Sequence, residues 1–104
     1  MLVQAQPPDW LQAALAAQSD TASRMVGLHI AYHWPTRIGG WLLDKVIKVN
    51  KDRTKTVGNL VANFEVYYEA DKQSAHHLLQ QANYAKSSRS KTGAWALVVP
   101  ASEL

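Results

Sequence analysis

The residues with the most chemical potential in this chain are aromatic, and they sit where extended segments meet turns. Ile30 to Asp71 reads as strand, turn, long strand, basic loop, strand. Trp34 closes the first segment (Ile30-Ala31-Tyr32-His33-Trp34-Pro35), and Trp41 opens the second directly after Gly39-Gly40. Tyr67 and Tyr68 close the third, just before Glu69-Ala70-Asp71. Rings at strand ends could converge at one end of a small barrel. Several rings beside an acid are equipment for binding rather than for catalysis.

The other reactive side chains point the same way. There is no Gly-x-Ser-x-Gly elbow, phosphate loop or His-Glu-x-x-His motif. Glu65, Glu69 and Asp71 adjoin Lys72 and read as solvated surface, so no enzyme and no cofactor are expected. His29 and His33 share one side of a strand, whereas His76 and His77 point to opposite sides. Zinc needs three or four converging ligands, and the chain has no cysteine. A structural or surface role for these histidines follows, with no metal.

Lysine and arginine number 11 against 8 acidic residues, a formal charge of +3. The cations cluster in two loops, Lys48, Lys51, Arg53 and Lys55 in one, Lys86, Arg89 and Lys91 in the other. Such loops keep a small domain soluble and protect its edges. They also suit phosphate contact with DNA or RNA, which is electrostatic and salt-dependent. Neither loop interleaves aromatic residues, so base stacking from them is not expected.

These groups need a scaffold, and 104 residues make one domain. A hydrophobic fraction of 47% implies a folded globule. No apolar run approaches the roughly 20 residues that span a bilayer, and Met1 to Trp10 does not resemble a signal peptide. The expectation is a soluble intracellular protein with no membrane partner.

Residues 1–25 differ from the rest and read as a helix or tail. Pro7-Pro8-Asp9 is a start signal with Asp9 as N-cap, and Trp10, Leu11, Ala14 and Leu15 form one apolar stripe. Packing on the rest of the domain is favoured over a free tail, because Trp10 is costly to leave in water. It could also enter an aromatic pocket and block it. Residues 26–100 read as a mainly β domain. The strands are 28–34, ended by Pro35, then 41–49, a third in which Ala62, Phe64, Val66 and Tyr68 alternate with polar residues, a short 74–79, and 94–99, ended by Pro100. Arg37-Ile38-Gly39-Gly40 is a turn, 50–56 a charged hairpin or loop, 80–85 one helical turn, and 86–93 a polar loop. Tyr68 shares the apolar face of Phe64 and Val66, whereas Tyr67 lies with Glu65 and Glu69. Trp95 reads as core, and Tyr84 as a cover for the barrel end or a border of the site. About five short strands point to a small closed barrel.

From Val26 to Val99 the pattern resembles the Tudor-like members of the SH3-like barrel group, which includes Tudor, agenet, chromo-barrel and PWWP domains. The likeness rests on Trp34 at the first strand end, on Gly39-Gly40-Trp41-Leu42-Leu43-Asp44-Lys45-Val46, and on Val66-Tyr67-Tyr68-Glu69-Ala70-Asp71 followed by Leu78-Leu79. His33-Trp34-Pro35 is similar to part of the PWWP signature, but it ends the first strand instead of starting the second. The resemblance implies an aromatic cage for methylated lysine or arginine, with Trp34, Trp41 and Tyr67 or Tyr68 as walls and Asp71 as the acid. Ala70 stands where a further cage aromatic is often found, which leaves three walls. The implied function is a non-catalytic, chromatin-associated nuclear reader of a methylated or basic, histone-tail-like peptide. A nucleic-acid-binding barrel, accessory to a DNA-processing or mobile-element protein, is the alternative; a protein-docking scaffold is the third reading.

Overall fold

The computed structural model describes residues 2–34, 40–85 and 93–103. Along the chain run β1 (Leu2–Gln4), α1 (Leu11–Ala14), β2 (His29–His33), β3 (Trp41–Val49), β4 (Thr56–Val57), β5 (Leu60–Val61), β6 (Phe64–Tyr68), β7 (Gln73–His77) and β8 (Trp95–Pro100). Short 3₁₀ turns occupy Asp20–Met25, Gln81–Asn83 and Ala101–Glu103. The expected turn at 37–40 and the loop at 86–93 fall largely outside the described residues. Gly40, at φ +66°, is the described part of the first, and its carbonyl accepts the Trp34 amide at 2.8 Å.

Alternation of apolar and polar residues makes the sheet. Six antiparallel strands lie in the order β1-β8-β2-β3-β6-β7, and β4-β5 forms a separate hairpin. Ile30, Tyr32, Val46, Phe64, Val66, Trp95 and Leu97 turn their side chains to one face and are buried there. Between β3 and β6 the register shifts after Val46 and resumes at Lys48. Ile47 is thus an extra residue, and this bulge lets both Val46 and Val49 reach the core face. β1 and β7 are the sheet's two edges and are not paired with each other, so the hydrogen-bonded sheet is not a closed ring.

The chain is mainly β, but its strands are more numerous than the sequence pattern implies. β1 is only three residues long, too short for alternation to reveal, and is held by β8 through Leu2↔Pro100, Val3↔Val99 and Gln4↔Val98. The hairpin lies just beyond the charged loop. It turns on Gly58-Asn59 with Gly58 at φ +63°, the conformation that two-residue hairpin turns ask of a leading glycine.

The N-terminal segment belongs to the same core. Leu11, Ala14, Ala22 and Met25 are buried among the sheet's apolar side chains. Asp9 does not cap α1: Trp10 holds the N-cap position, and no side chain satisfies the first turn. A helix with no cap and one turn of length depends on its packing. Its carbonyl at Leu15 is tied to the sheet by Asn63, whose Nδ2 donates to Leu15 O and Leu79 O, each at 2.9 Å. The Asn63 Oδ1 accepts the Leu79 amide at 2.8 Å. Asn50 works similarly on the neighbouring loop, donating to Ala62 O at 2.8 Å and accepting the Asp52 amide at 3.1 Å. Tyr84 bridges the ends of the fold, its hydroxyl donating to Ala5 O at 2.7 Å and accepting the Leu97 amide at 3.2 Å.

One turn holds a residue in an unfavourable conformation. Lys72 sits at φ 57°, in the tight turn between β6 and β7, and its side chain is exposed. Left-handed backbone costs an L-residue about 1–2 kcal/mol, part of which glycine gives back through its freer unfolded chain. Lys72→Gly is therefore expected to raise stability by about 0.5–1 kcal/mol. Urea denaturation checks it, and a lower midpoint at unchanged slope would show that the turn is not strained.

Candidate functional site

Strand parity decides which aromatic residues meet. Tyr32 and then Trp34 follow Ile30 on the core side, Leu42 and Asp44 precede Val46 on the same side, and Tyr68 follows Phe64 and Val66. From β7, Ala75 and His77 face them. A pocket of about 280 Å³ opens at this end of the sheet, lined by Trp34, Leu42, Tyr68, Asp71, Ser74 and Ala75 among others. Asp71 stands in the turn ahead of β7, where its Oδ1 accepts the Gln73 amide at 3.2 Å.

Beneath the pocket the rings interlock. Trp34 and Tyr68 have centroids 6.1 Å apart at 56°, and Trp34 Nε1–H donates to the Tyr68 hydroxyl at 3.2 Å. That hydroxyl is also hydrogen-bonded to His77 Nε2. Because it already receives the indole proton, it donates its own to the neutral imidazole. Tyr32 also packs on His77, with centroids 4.1 Å apart at 32°, and on Trp34 at 5.5 Å. Thus Trp34 and Tyr68 are pocket wall and core at once, held from behind by His77.

Asp44 completes this cluster and is its least comfortable member. Its residue is 1% exposed, and among the described residues neither carboxylate oxygen has a hydrogen-bond partner. The Tyr68 hydroxyl is its polar neighbour, but spends its bonds on Trp34 and His77. Burial pushes the Asp44 carboxyl up to about 7, with Tyr68 drawing it slightly the other way. Burial pushes His77 down to about 4, helped by the charge of His76 next to it. Tyr68 and Tyr32 are both raised by burial first and by the nearby Asp44 second. Asp44 and His77 are therefore both neutral over the weakly acidic range.

The four-membered cage does not assemble. Trp41 precedes Leu42 and so faces the opposite side of the sheet, where it is 37% exposed and meets His33 edge-on at 5.0 Å. Tyr67 is also on that side, opposite Lys45 and Ser74 in the register. A one-residue step on a strand reverses the face, which separates Trp41 and Tyr67 from Trp34, Tyr68 and Asp71. Trp10 does not enter the pocket either. It lies beside Ala5, Leu28 and Leu97 in a different depression, with the Arg24 guanidinium 4.6 Å from its ring. Trp95 is fully buried.

Lys48, Lys51 and Lys55 border one depression of about 500 Å³, together with Asp52, Glu65 and His76. Arg53 lines another beside Leu15 and Asn63. Lys51 Nζ donates to Ala17 O, and His76 lies 3.6 Å from Glu65. Lys86, Arg89 and Lys91 fall outside the described residues. Among the described residues no three His, Asp or Glu side chains are placed to hold a metal ion, and no helix is long and apolar enough to cross a membrane. In comparisons with protein-family models, curated proteins and solved structures, no match to this chain was found.

Proposed function

We propose that this chain is a non-catalytic binding module that receives a cationic side chain of a peptide, a methylated or unmodified lysine or arginine, between Trp34, Tyr68 and Asp71. The observation that carries this reading is two aromatic rings and a carboxylate around one opening of about 280 Å³. An alkylated ammonium has lost hydration and is attracted to π faces, while a carboxylate at the rim adds charge selectivity. A Tudor-like, SH3-like architecture is supported by the run β8-β2-β3-β6-β7, in which the last strand returns beside the first. In that setting the partner is a histone-tail-like peptide, and the site of action chromatin in the nucleus.

One observation favours contact with nucleic acid as a second reading. Three lysines, Lys48, Lys51 and Lys55, border one depression. Asp52 and Glu65 in the same depression offset most of that charge, which ranks it below the pocket.

An NMR titration with a basic peptide carrying trimethyl-lysine tests the first reading. Trp34→Ala is expected to weaken binding by about 10- to 30-fold, the worth of one desolvated cation–π contact. Trp41→Ala should leave affinity within about twofold, since its ring faces the other side. Undiminished affinity in a folded Trp34→Ala protein, matched by an undiminished Asp71→Asn protein, would remove the pocket from consideration. Shifts at Lys48, Lys51 and Lys55 on adding a DNA duplex, with none from peptide, would move the function to nucleic acid.

A further inference from the structure

β7 is an outermost strand of the sheet, and the pocket is built partly from it. Five consecutive pairs, Phe64↔His77 to Tyr68↔Gln73, join it to β6 without a register break. Among the described residues no strand is hydrogen-bonded to its other side. Soluble proteins normally blunt such an edge with lysine, proline, a bulge or extreme shortness. The opposite edge, β1, is blunted by its three-residue length. β7 uses none of these devices: Gln73-Ser74-Ala75-His76-His77 has no lysine, proline or bulge inside the strand. Its first three residues line the pocket that holds Trp34 and Tyr68.

We propose that the partner is an extended peptide that adds as a further strand along the free edge of β7 and turns a cationic side chain from that strand into the Trp34–Tyr68 pocket. This rests on the pocket reading above and names how its ligand is presented. Strand addition draws affinity from main-chain hydrogen bonds and specificity from every second side chain. The charge around the entry agrees with a basic partner, because Glu69 and Asp71 outweigh Lys72 in the turn that leads into β7, and Asp71 lines the pocket itself. β4 packs close to β7 as well, so the paired stretch is short and centres on Gln73 to Ala75.

Three probes separate strand addition from the pocket itself. They are a basic peptide of about seven residues with a central trimethyl-lysine, the same peptide with alternate backbone amides N-methylated, and trimethyl-lysine capped as acetyl and amide. The intact peptide is expected to bind at least about tenfold tighter than either other probe, and to slow hydrogen exchange of the outward-facing β7 amides. The capped residue should still shift the Trp34 indole signal. Equal affinity for intact and N-methylated peptides, in both methylation registers and with β7 exchange unchanged, would overturn strand addition and leave the pocket standing. Failure of all three probes to shift Trp34 would overturn both.

Discussion

Replacing Asp44 by Asn is expected to tilt the pH dependence of stability relative to wild type, adding a gain of roughly 3 kcal/mol as pH rises from 4 to 6.5. The cause is a cancellation within the buried cluster. Asp44 is raised from 3.8 to about 7, so the native state holds a proton that the unfolded chain releases near 3.8. Taken alone, that stabilises at low pH and is lost as pH climbs towards 7. His77 is lowered from 6.5 to about 4, so the unfolded chain holds a proton that the native state has released. Taken alone, that stability is present above 6.5 and is lost as pH falls towards 4. Between these limits native and unfolded states bind equal numbers of protons at the pair, and the two slopes offset each other.

Each single variant exposes one slope. Asp44→Asn leaves the rising term of His77. His77→Gln leaves the falling term of Asp44, roughly 4 kcal/mol between pH 3.8 and about 7. Tyr32 and Tyr68 stay protonated throughout, because both are raised. Urea denaturation of wild type and both variants at several pH values between 4 and 7.5 reads the effect. Parallel pH profiles for all three proteins would mean that the cluster is not buried in this protonation state.

Removing the Asn63 side chain is expected to cost about 3 kcal/mol or more, an effect out of proportion to an uncharged polar residue. Its amide makes three hydrogen bonds of 2.8 to 2.9 Å, to Leu15 and twice to Leu79. Asn63→Ala leaves two carbonyls and one amide unpaired where water has little access, each costing about 1–3 kcal/mol. Asn63→Asp keeps the shape but sets an acceptor oxygen against two carbonyls, and should be no more stable than the alanine variant. Thermal and urea unfolding of both variants check this. A loss below about 1 kcal/mol for Asn63→Ala would show that α1 and the segment after β7 are held by apolar packing alone.

Asn63 also marks where reading the chain stops short. It falls at a polar position of an alternating strand, so the pattern assigns it to solvent; only the fold brings Leu15 and Leu79 to it. Asp44 is different, because its position could be read. Leu42, Asp44 and Val46 share one parity on β3, so a carboxylate on the apolar face was visible in the pattern. The alternation likewise separates Tyr67 from Tyr68, and the same rule applied to β3 separates Trp41 from Leu42. Strand-end rings drew attention to the end of the sheet where the pocket opens, but convergence requires a shared face as well as a shared end. His77 reads from the sequence only as structural or surface, without its buried partners, because the short β7 mixes glutamine, serine, alanine and histidine, with no apolar rhythm to fix its phase.

The position of β2 governs the order in which the molecule can be assembled. One neighbour, β3, begins only eight positions after β2 ends, whereas the other, β8, arrives only after β3, the β4–β5 hairpin, β6 and β7 have all been made. The β2–β3 ribbon can zip early through local contacts, but closing the long loop to β8 carries a larger entropy cost and a slower rate. During synthesis and refolding, the edge of His29–His33 that β8 will cover stays open to any other extended chain. Kinetic competition between β8 and intermolecular pairing at that edge therefore sets the yield of folded protein.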